Sequence, residues 1–290
     1  MKFAFNTRIL RFHTLSDAID LVAKAGFCAL ELMADRPHAF PEDLTAEKLS
    51  ALNQCLSERK LKVSNLDAGT VTSLVEPHNP SWVDEDWQKR EQRIRYTLDC
   101  IRLAAAMGVA QVSTQGGGPI PPGTTHGESW RLFVATMHRV LPLARKLGVQ
   151  LLIQPSPEML IETSDQLLEL LAELDHHESL RVTFDVVHLY CAGEDPVNAW
   201  DKLKDYVSLV RLSDAAEDRS HVHVQLGEGV LELPIFLSKI QHSGYQGFVV
   251  IQRDGSEQRA DKIVYGAATY LQDIGFMTRQ PDYCLLGNNV

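Results

Sequence analysis

A single (β/α)8 barrel is the fold class this α/β chain predicts, and three observations point to it. Short apolar runs and amphipathic stretches alternate from end to end, giving eight strand-like segments, each followed by a helix-like one. The strand-like runs are apolar without clean alternation, as strands covered on both faces are. No Pro/Gly/Ser-rich linker divides the 290 residues, a length that suits one large α/β domain. An open, doubly wound sheet is the competing layout. Against it, the first strand is not followed by the glycine fingerprint of a dinucleotide site.

The elements follow in order. Phe3 to Asn6 is the first strand, and Ser16 to Lys24 an amphipathic helix with Ile19, Leu21 and Val22 on its apolar face, stopped before Gly26. Cys28 to Met33 is the second strand, and Thr45 to Arg59 the helix after it. Leu61 to Leu66 is the third, followed by a long loop holding Pro77, His78, Asn79 and Pro80, and by a helix from Asp84 to Met107. Val109 to Thr114 is the fourth; the glycine-rich loop Gln115 to Gly123 leads to a helix from Glu128 to Lys146. Val149 to Gln154 is the fifth, with Thr163 and Gln166 forming a capping box for the helix Thr163 to Leu174. Leu180 to Asp185, Val207 to Leu212 and Gly247 to Gln252 complete the strands; Pro196 to Leu203, Leu233 to His242 and Ala260 to Asp273 complete the helices. Residues 1–275 thus form one barrel. Residues 276–290 are a C-terminal tail without periodicity, for which packing on the barrel, assembly into a homo-oligomer and partial disorder are all open.

Composition narrows the function. The chain is 44% hydrophobic and 23% charged, as ordinary globular domains are. A net charge of -10 opposes nucleic acid and anionic membrane as partners. Five cysteines, an odd number without a Cys-x-x-Cys pair, exclude a disulfide framework or a cysteine zinc site. Cys28 and Cys100 fall in apolar patterns and are expected as core thiols. The opening apolar run is too short for a signal peptide and no run is long enough for a membrane span, so a cytoplasmic protein is expected.

The chemistry concentrates between Thr183 and Gly229. Two apolar strands end in ionisable groups, Asp185 with His188 and Arg211 with Asp214, and the loop that follows carries His221, His223 and Leu226-Gly227-Glu228-Gly229. In a parallel barrel the loops at the carboxyl ends of the strands converge on one site. His221 and His223 are two apart, so an extended segment turns both to one side. Gln115 to Gly118 reads either as a phosphate cradle or as a flexible, ligand-closing loop. Trp82, Trp87 and Trp130 read either as sugar-stacking groups or as packing.

Several stretches together resemble the xylose isomerase-like TIM barrels, which include sugar phosphate isomerases/epimerases and endonuclease IV. They are Gly26 to Leu32, Gly148 to Ile153, Phe184-Asp185-Val186-Val187-His188, Leu226 to Gly229, and Gly244-Tyr245-Gln246-Gly247. The resemblance implies a sugar or sugar-derivative isomerase/epimerase-like protein with a small carbohydrate-like ligand. It also implies a divalent metal on Glu, Asp, His and Glu at the ends of strands five to eight. Here those positions are Gln154, Asp185, Arg211 and Gln252, with Asp214 kept three residues after Arg211. The family set carries three negative charges. Asp185 and Arg211 sum to zero, and a guanidinium cannot be a ligand. No cofactor is therefore expected. The alternative is Mn, Zn or Co held by Asp185, His188, His221 and His223.

On this reading Arg211 occupies the metal's place, pairs with Asp185 and donates to the carbonyl oxygens of Gln154 and Gln252. His188, Arg211 and Asp185 are the catalytic candidates. Glu31, Gln154, Asp214, His221, His223 and Gln252 are the substrate-binding ones, with Glu31 facing the pocket mouth. Proton transfer would fall to His188, His221, His223, Asp185 or Glu158, because glutamine is no general base. Whether the chain catalyses anything is left open by its sequence. The alternative function is a non-catalytic relative that binds a polyol or sugar acid. An endonuclease IV-like reading lacks its multi-metal ligand set and its basic face.

Overall fold

The computed structural model describes residues 1–69, 78–253, 255 and 257–278. In chain order the strands and helices are β1 (Lys2–Asn6), α1 (Leu15–Lys24), β2 (Ala29–Met33), α2 (Ala46–Glu58), β3 (Lys62–Asp67), α3 (Trp87–Met107), β4 (Gln111–Gln115), α4 (His126–Leu147), β5 (Gln150–Gln154), α5 (Ser164–Glu173) and β6 (Leu180–Asp185). They continue with α6 (Val186–Cys191), α7 (Pro196–Leu203), β7 (Val207–Leu212), β8 (Asp214–Ala215), β9 (His223–Val224), α8 (Leu233–His242), β10 (Phe248–Ile251) and α9 (Ala260–Asp273). Eight of the strands close into a parallel barrel in the order β1-β10-β7-β6-β5-β4-β3-β2. The expected fold is therefore observed. The short helix α6 and the two-residue antiparallel ladder β8–β9 are additions to the expected elements. Most of the expected tail, and the loop residues 70–77, lie outside the described residues.

Helix boundaries follow local chemistry. Thr14, Thr45, Thr125 and Thr163, each at an N-cap position, accept the backbone N–H of the residue three positions on, and the last two form full capping boxes with Glu128 and Gln166. Gly108 and Gly148 end α3 and α4 in the left-handed conformation, where a side chain would be strained.

The barrel interior is layered, and the layering places the site. Ala4, Ala29, Leu152, Leu209 and Val250 form a small apolar cluster inside the barrel. Because strand side chains alternate, the residue two positions further on points to the same interior. Those residues are Asn6, Glu31, Gln154, Arg211 and Gln252, all buried. An apolar plug thus carries a polar layer directly above it, at the carboxyl ends of the strands. The larger core lies outside, between sheet and helices, and includes Trp82, Phe133, Phe184 and Trp200.

Some expectations are corrected here. Cys28 is exposed rather than a core thiol, since it precedes β2 at the amino-terminal rim; Cys100 is buried. Trp82 and Trp130 are packing residues, with Trp82 donating to Thr114 Oγ1 at 3.1 Å. Trp87 is exposed on the outside of the barrel, beside Phe40 and Tyr96. The glycine-rich loop is a packed seam and not an anion cradle: its carbonyls accept N–H groups from Trp82, Leu160 and Ile161. A Cβ on Gly116 would meet Gln154 O and Ile161 at 2.9 Å. Among the described residues no helix is long and apolar enough to cross a membrane.

His38, in the loop after β2, is buried with Nδ1 3.1 Å from Thr7 Oγ1. Burial pushes its pKa from 6.5 down to about 4. Between those values the unfolded chain binds the extra proton, so this contribution to stability is complete above pH 6.5 and is lost as pH falls towards 4. The wild type is expected to lose about 2 kcal/mol more than His38→Gln between roughly pH 7 and pH 5, read from urea midpoints. Equal losses in the two proteins would remove His38 as the source.

Candidate functional site

The polar layer divides into two halves with different characters. In the first, Arg211 reaches across the barrel axis from β7 to the β2–β3 side. Its Nη2 lies 2.7 Å from Glu31 Oε1 and 3.0 Å from Asp67 Oδ1 and also donates to Ser113 Oγ at 2.9 Å. Nε is 3.2 Å from both Glu31 oxygens, and Nη1 donates to Gln154 Oε1. Every guanidinium nitrogen is engaged, and the side chain is 2% exposed. Asn65 donates to Glu31 Oε1 at 2.6 Å; Asn6 donates to Glu31 Oε2 and, at 3.3 Å, to Asp67 Oδ2. Arg8 closes the network on Asp67 Oδ2 at 3.2 Å.

These contacts revise the expected partners of Arg211. Its ion pairs are with Glu31 and Asp67, and Asp185 is reached only through Gln154. Gln154 accepts from Arg211 with Oε1 and donates to Asp185 Oδ2 with Nε2 at 2.9 Å. Gln252 does not receive Arg211; its Oε1 is buried without a hydrogen-bond partner among the described residues. Glu31 lies on the sealed floor and not at the mouth. The electrostatics fit this arrangement. Burial raises the Glu31 carboxyl, against the pull of Arg211. Burial works the same way on Asp67, but Arg211 and Arg8 outweigh it and hold that carboxyl well below its usual range. Burial opposes the charge of Arg211 too, yet Asp67 and Glu31 raise its pKa above the usual value.

The family's metal position therefore does not fit a divalent ion in this chain. Gln154 shows why. A glutamate there would set its carboxylate against that of Asp185 and would need a cation between them. The amide instead donates to Asp185 and accepts from Arg211, so the network closes on itself. With its donors taken up by protein, Arg211 acts as the plug of the floor.

The second half is a cluster of imidazoles on the β6–β7 side. Asp185 caps α6, its Oδ1 accepting from Val187 N at 3.1 Å and His188 N at 3.0 Å. This fixes the first turn and with it His188, whose Nε2 is 3.7 Å from Asp185 Oδ2. His188 Nδ1 lies 2.8 Å from Pro155 O. A carbonyl only accepts, so Nδ1 carries the proton and Nε2 keeps its lone pair. Burial pushes the pKa of His188 down to about 4, so the ring is neutral. Burial works against the charge of Asp185, but its histidine neighbours, the His188 backbone N–H it accepts and Arg211 together hold its carboxyl below the usual value.

His223 is fixed in a similar way. Ser213 Oγ donates to Gln252 O, so it accepts from His223 Nδ1 at 3.0 Å. His223 Nε2 is then a bare lone pair, buried and without a hydrogen-bond partner among the described residues. The β8–β9 ladder, pairing Ala215 with His223, holds this residue in register. The His188 ring centroid is 4.5 Å from that of His221 and 5.3 Å from that of His223. One ligand atom from each of the three lies within 4.8 Å of the others. His221 is exposed.

Asp214 stands apart from the cavity. Its carboxylate is occupied by four backbone N–H groups, of Ala215 and Leu231 on Oδ1 and of Gly227 and Gly229 on Oδ2, at 2.9–3.1 Å. It is the anchor of the loop that carries the histidines. Asn6, Asn65, Asp67, Ser113 and Ser213 were not singled out in the sequence. Asn6 and Asp67 end their strands and Ser213 directly follows one, which was the available signal; Asn65 and Ser113 lie two residues inside theirs.

Comparison with known proteins agrees with this architecture. The uncharacterized protein MJ1311 of Methanocaldococcus jannaschii is 22% identical over 269 residues, covering 87% of this chain and 83% of its own length. An inosose dehydratase of Lacticaseibacillus casei is 20% identical over 154 residues, spanning 48% of this chain and 51% of that enzyme. A crystal structure of the probable 3-DHS dehydratase AsbF of Bacillus anthracis shares the fold with a TM-score of 0.76 at 20% identity, covering 94% of this chain and 99% of that one. The xylose isomerase-like TIM barrel profile matches residues 19–279. With its closed eight-stranded barrel and this match over most of its length, the chain belongs to the xylose isomerase-like TIM barrel family.

Proposed function

We propose that this chain is an isomerase- or epimerase-like enzyme acting on a sugar or sugar derivative, with its reacting centre at the histidine cluster instead of the family's metal position. The observation that carries this reading is the pair of fixed imidazoles, His188 and His223: Nε2 of His223 is buried without a hydrogen-bond partner among the described residues, and Nε2 of His188 lies 3.7 Å from Asp185 Oδ2. Isomerisation, epimerisation and the loss of water beside a carbonyl all begin by removing a proton next to that carbonyl. The cluster is where such a carbonyl is activated. Arg211, satisfied by protein groups on the floor, positions the wall and takes no part in the reaction.

Solvent exchange tests this without knowledge of the natural substrate. A panel of ketoses, aldoses, keto-polyols and sugar acids is incubated with the protein in deuterium oxide, and proton loss next to the carbonyl is followed by NMR. At least one compound is expected to exchange, with the rate falling at least about a hundredfold in His188→Ala. Unchanged exchange in that variant would remove His188 from the centre.

A second reading is a non-catalytic binder of a polyol or sugar acid. The observation favouring it is that both family glutamates are amides, Gln154 and Gln252, which cannot serve as general bases. Thermal stabilisation by a panel member, with no exchange in any of them, would select this reading.

A further inference from the structure

Two buried acceptors of the site, His223 Nε2 and Gln252 Oε1, stand without a hydrogen-bond partner among the described residues, and each residue is only 4% exposed. They are neighbours, because Ser213 Oγ accepts from His223 Nδ1 and donates to Gln252 O. A third acceptor, Asp185 Oδ2, receives Gln154 Nε2 at 2.9 Å, which leaves room for a second donor. A fourth, His188 Nε2, lies 3.7 Å from that oxygen, with the ring proton on Nδ1 towards Pro155 O. Burying acceptors in this way is costly unless a ligand brings the donors.

We infer that the ligand of this cavity carries a protonated primary amine: it is an amino sugar or amino polyol whose ammonium sits among Asp185, His223 and Gln252, next to His188 Nε2. The inference deepens the reading above, and rests on it only for the turnover of such a compound. A primary ammonium brings three N–H donors and no acceptor. Donors at tetrahedral angles, with hydrogen bonds of about 2.9 Å, serve acceptors roughly 4.7 Å apart. The spacings here are of that size: 3.7 Å from Asp185 Oδ2 to His188 Nε2, and within 4.8 Å between a ring nitrogen of His188 and one of His223. Four acceptors face three N–H bonds, so one lone pair, that of His188, stays available for the proton next to the carbonyl.

Charge selects the amine over a neutral sugar. Arg211 is balanced by Glu31 and Asp67 and reaches Asp185 only through the Gln154 amide. The other neighbours of Asp185 Oδ2 are a neutral amide and a neutral imidazole, so this buried carboxylate has no cation of its own in direct contact. An ammonium supplies that charge together with the donors, and charge-assisted hydrogen bonds are about twice as strong as neutral ones. A hydroxyl group donates once and brings no charge. An acetylated amine likewise keeps a single N–H and loses the charge.

Calorimetric titration of the full-length protein in an amine-free buffer tests this. The probes are glucosamine, galactosamine, mannosamine and 1-amino-1-deoxyfructose, each beside its parent sugar, and the N-acetyl forms of the first three. At least one amine is expected to bind at least about tenfold more tightly than its parent, and acetylation to remove the gain. Asp185→Asn, which keeps an oxygen to cap α6, should abolish that preference. Gln252→Leu removes an unpaired acceptor, so it should fold at least as stably as the wild type yet bind the amine at least about threefold more weakly; it carries the test should Asp185→Asn fail to fold. No amine with a Kd below about 1 mM, parents bound as tightly as amines, or wild-type amine affinity in either folded variant would overturn the inference. An amine bound without exchange in deuterium oxide would count against the proposed function and leave the amine site standing. Exchange of neutral sugars with no preference for amines would do the reverse.

Discussion

Arg211→Met is expected to destabilise the folded chain by about 3–5 kcal/mol, a large share of the total stability of a typical domain. The reason is the company Arg211 keeps. Glu31 and Asp67 are both fully buried, and Arg211 is the cation they share. Methionine fills much of the space but leaves two carboxylates on the barrel floor, with Arg8 reaching only Asp67. Removing one partner of a buried ionic network costs far more than the network is worth as a whole. Two controls separate charge from packing. Arg211→Lys keeps the charge but loses the fork that serves Glu31, Gln154 and Ser113 together, so it should recover only part of the loss. Glu31→Gln, added to Arg211→Met, removes one stranded charge and should restore part of the stability, most clearly near neutral pH. A change in urea midpoint too small to measure in Arg211→Met would mean that the network is not what holds the floor.

Asp214→Asn is the second large effect, expected to cost about 2–4 kcal/mol, read from urea midpoints. Asparagine has nearly the same shape, so the test is chemical. Each carboxylate oxygen accepts two backbone N–H groups, and an amide must turn its NH2 group towards one of those pairs. Two donors then face a donor. The segment that closes on Leu231 loses its anchor, and with it the ladder that fixes His223. Gly229→Ala should act through the same contact, since a Cβ there would fall 2.4 Å from Asp214 Oδ1. If either variant kept wild-type stability, the loop would be held by something other than Asp214.

The two variants mark where reading the chain succeeds and where it stops. Eight strands, their order in the chain and the end of the barrel that carries the site are all local properties. Apolar runs of strand length, helix caps such as Thr125 with Glu128, and glycine stops such as Gly148 announce them. The family resemblance adds the four strand-end positions, and with Arg211 among them the loss of the usual metal position is already a matter of charge. Asp185 with His188, and His221 with His223, are likewise legible as pairs at spacings of three and two.

Partnership across the barrel is another matter. Arg211 reads as a cation that must find a carboxylate, and Asp185, its neighbour in register, is the nearest choice on paper. The structure gives it Glu31 and Asp67 instead, from strands far away in sequence. Asp214 reads as a site carboxylate and proves to be a loop anchor, because the backbone that folds back over it lies 13–17 residues further on. The three histidines share one space only because α6 and the β8–β9 ladder meet there. What the sequence determines by itself is which residues face the interior, since strand alternation is a property of the local backbone. Which of them touch is decided by the closure of the sheet and the reach of each side chain across it, and these exist only once the barrel has formed.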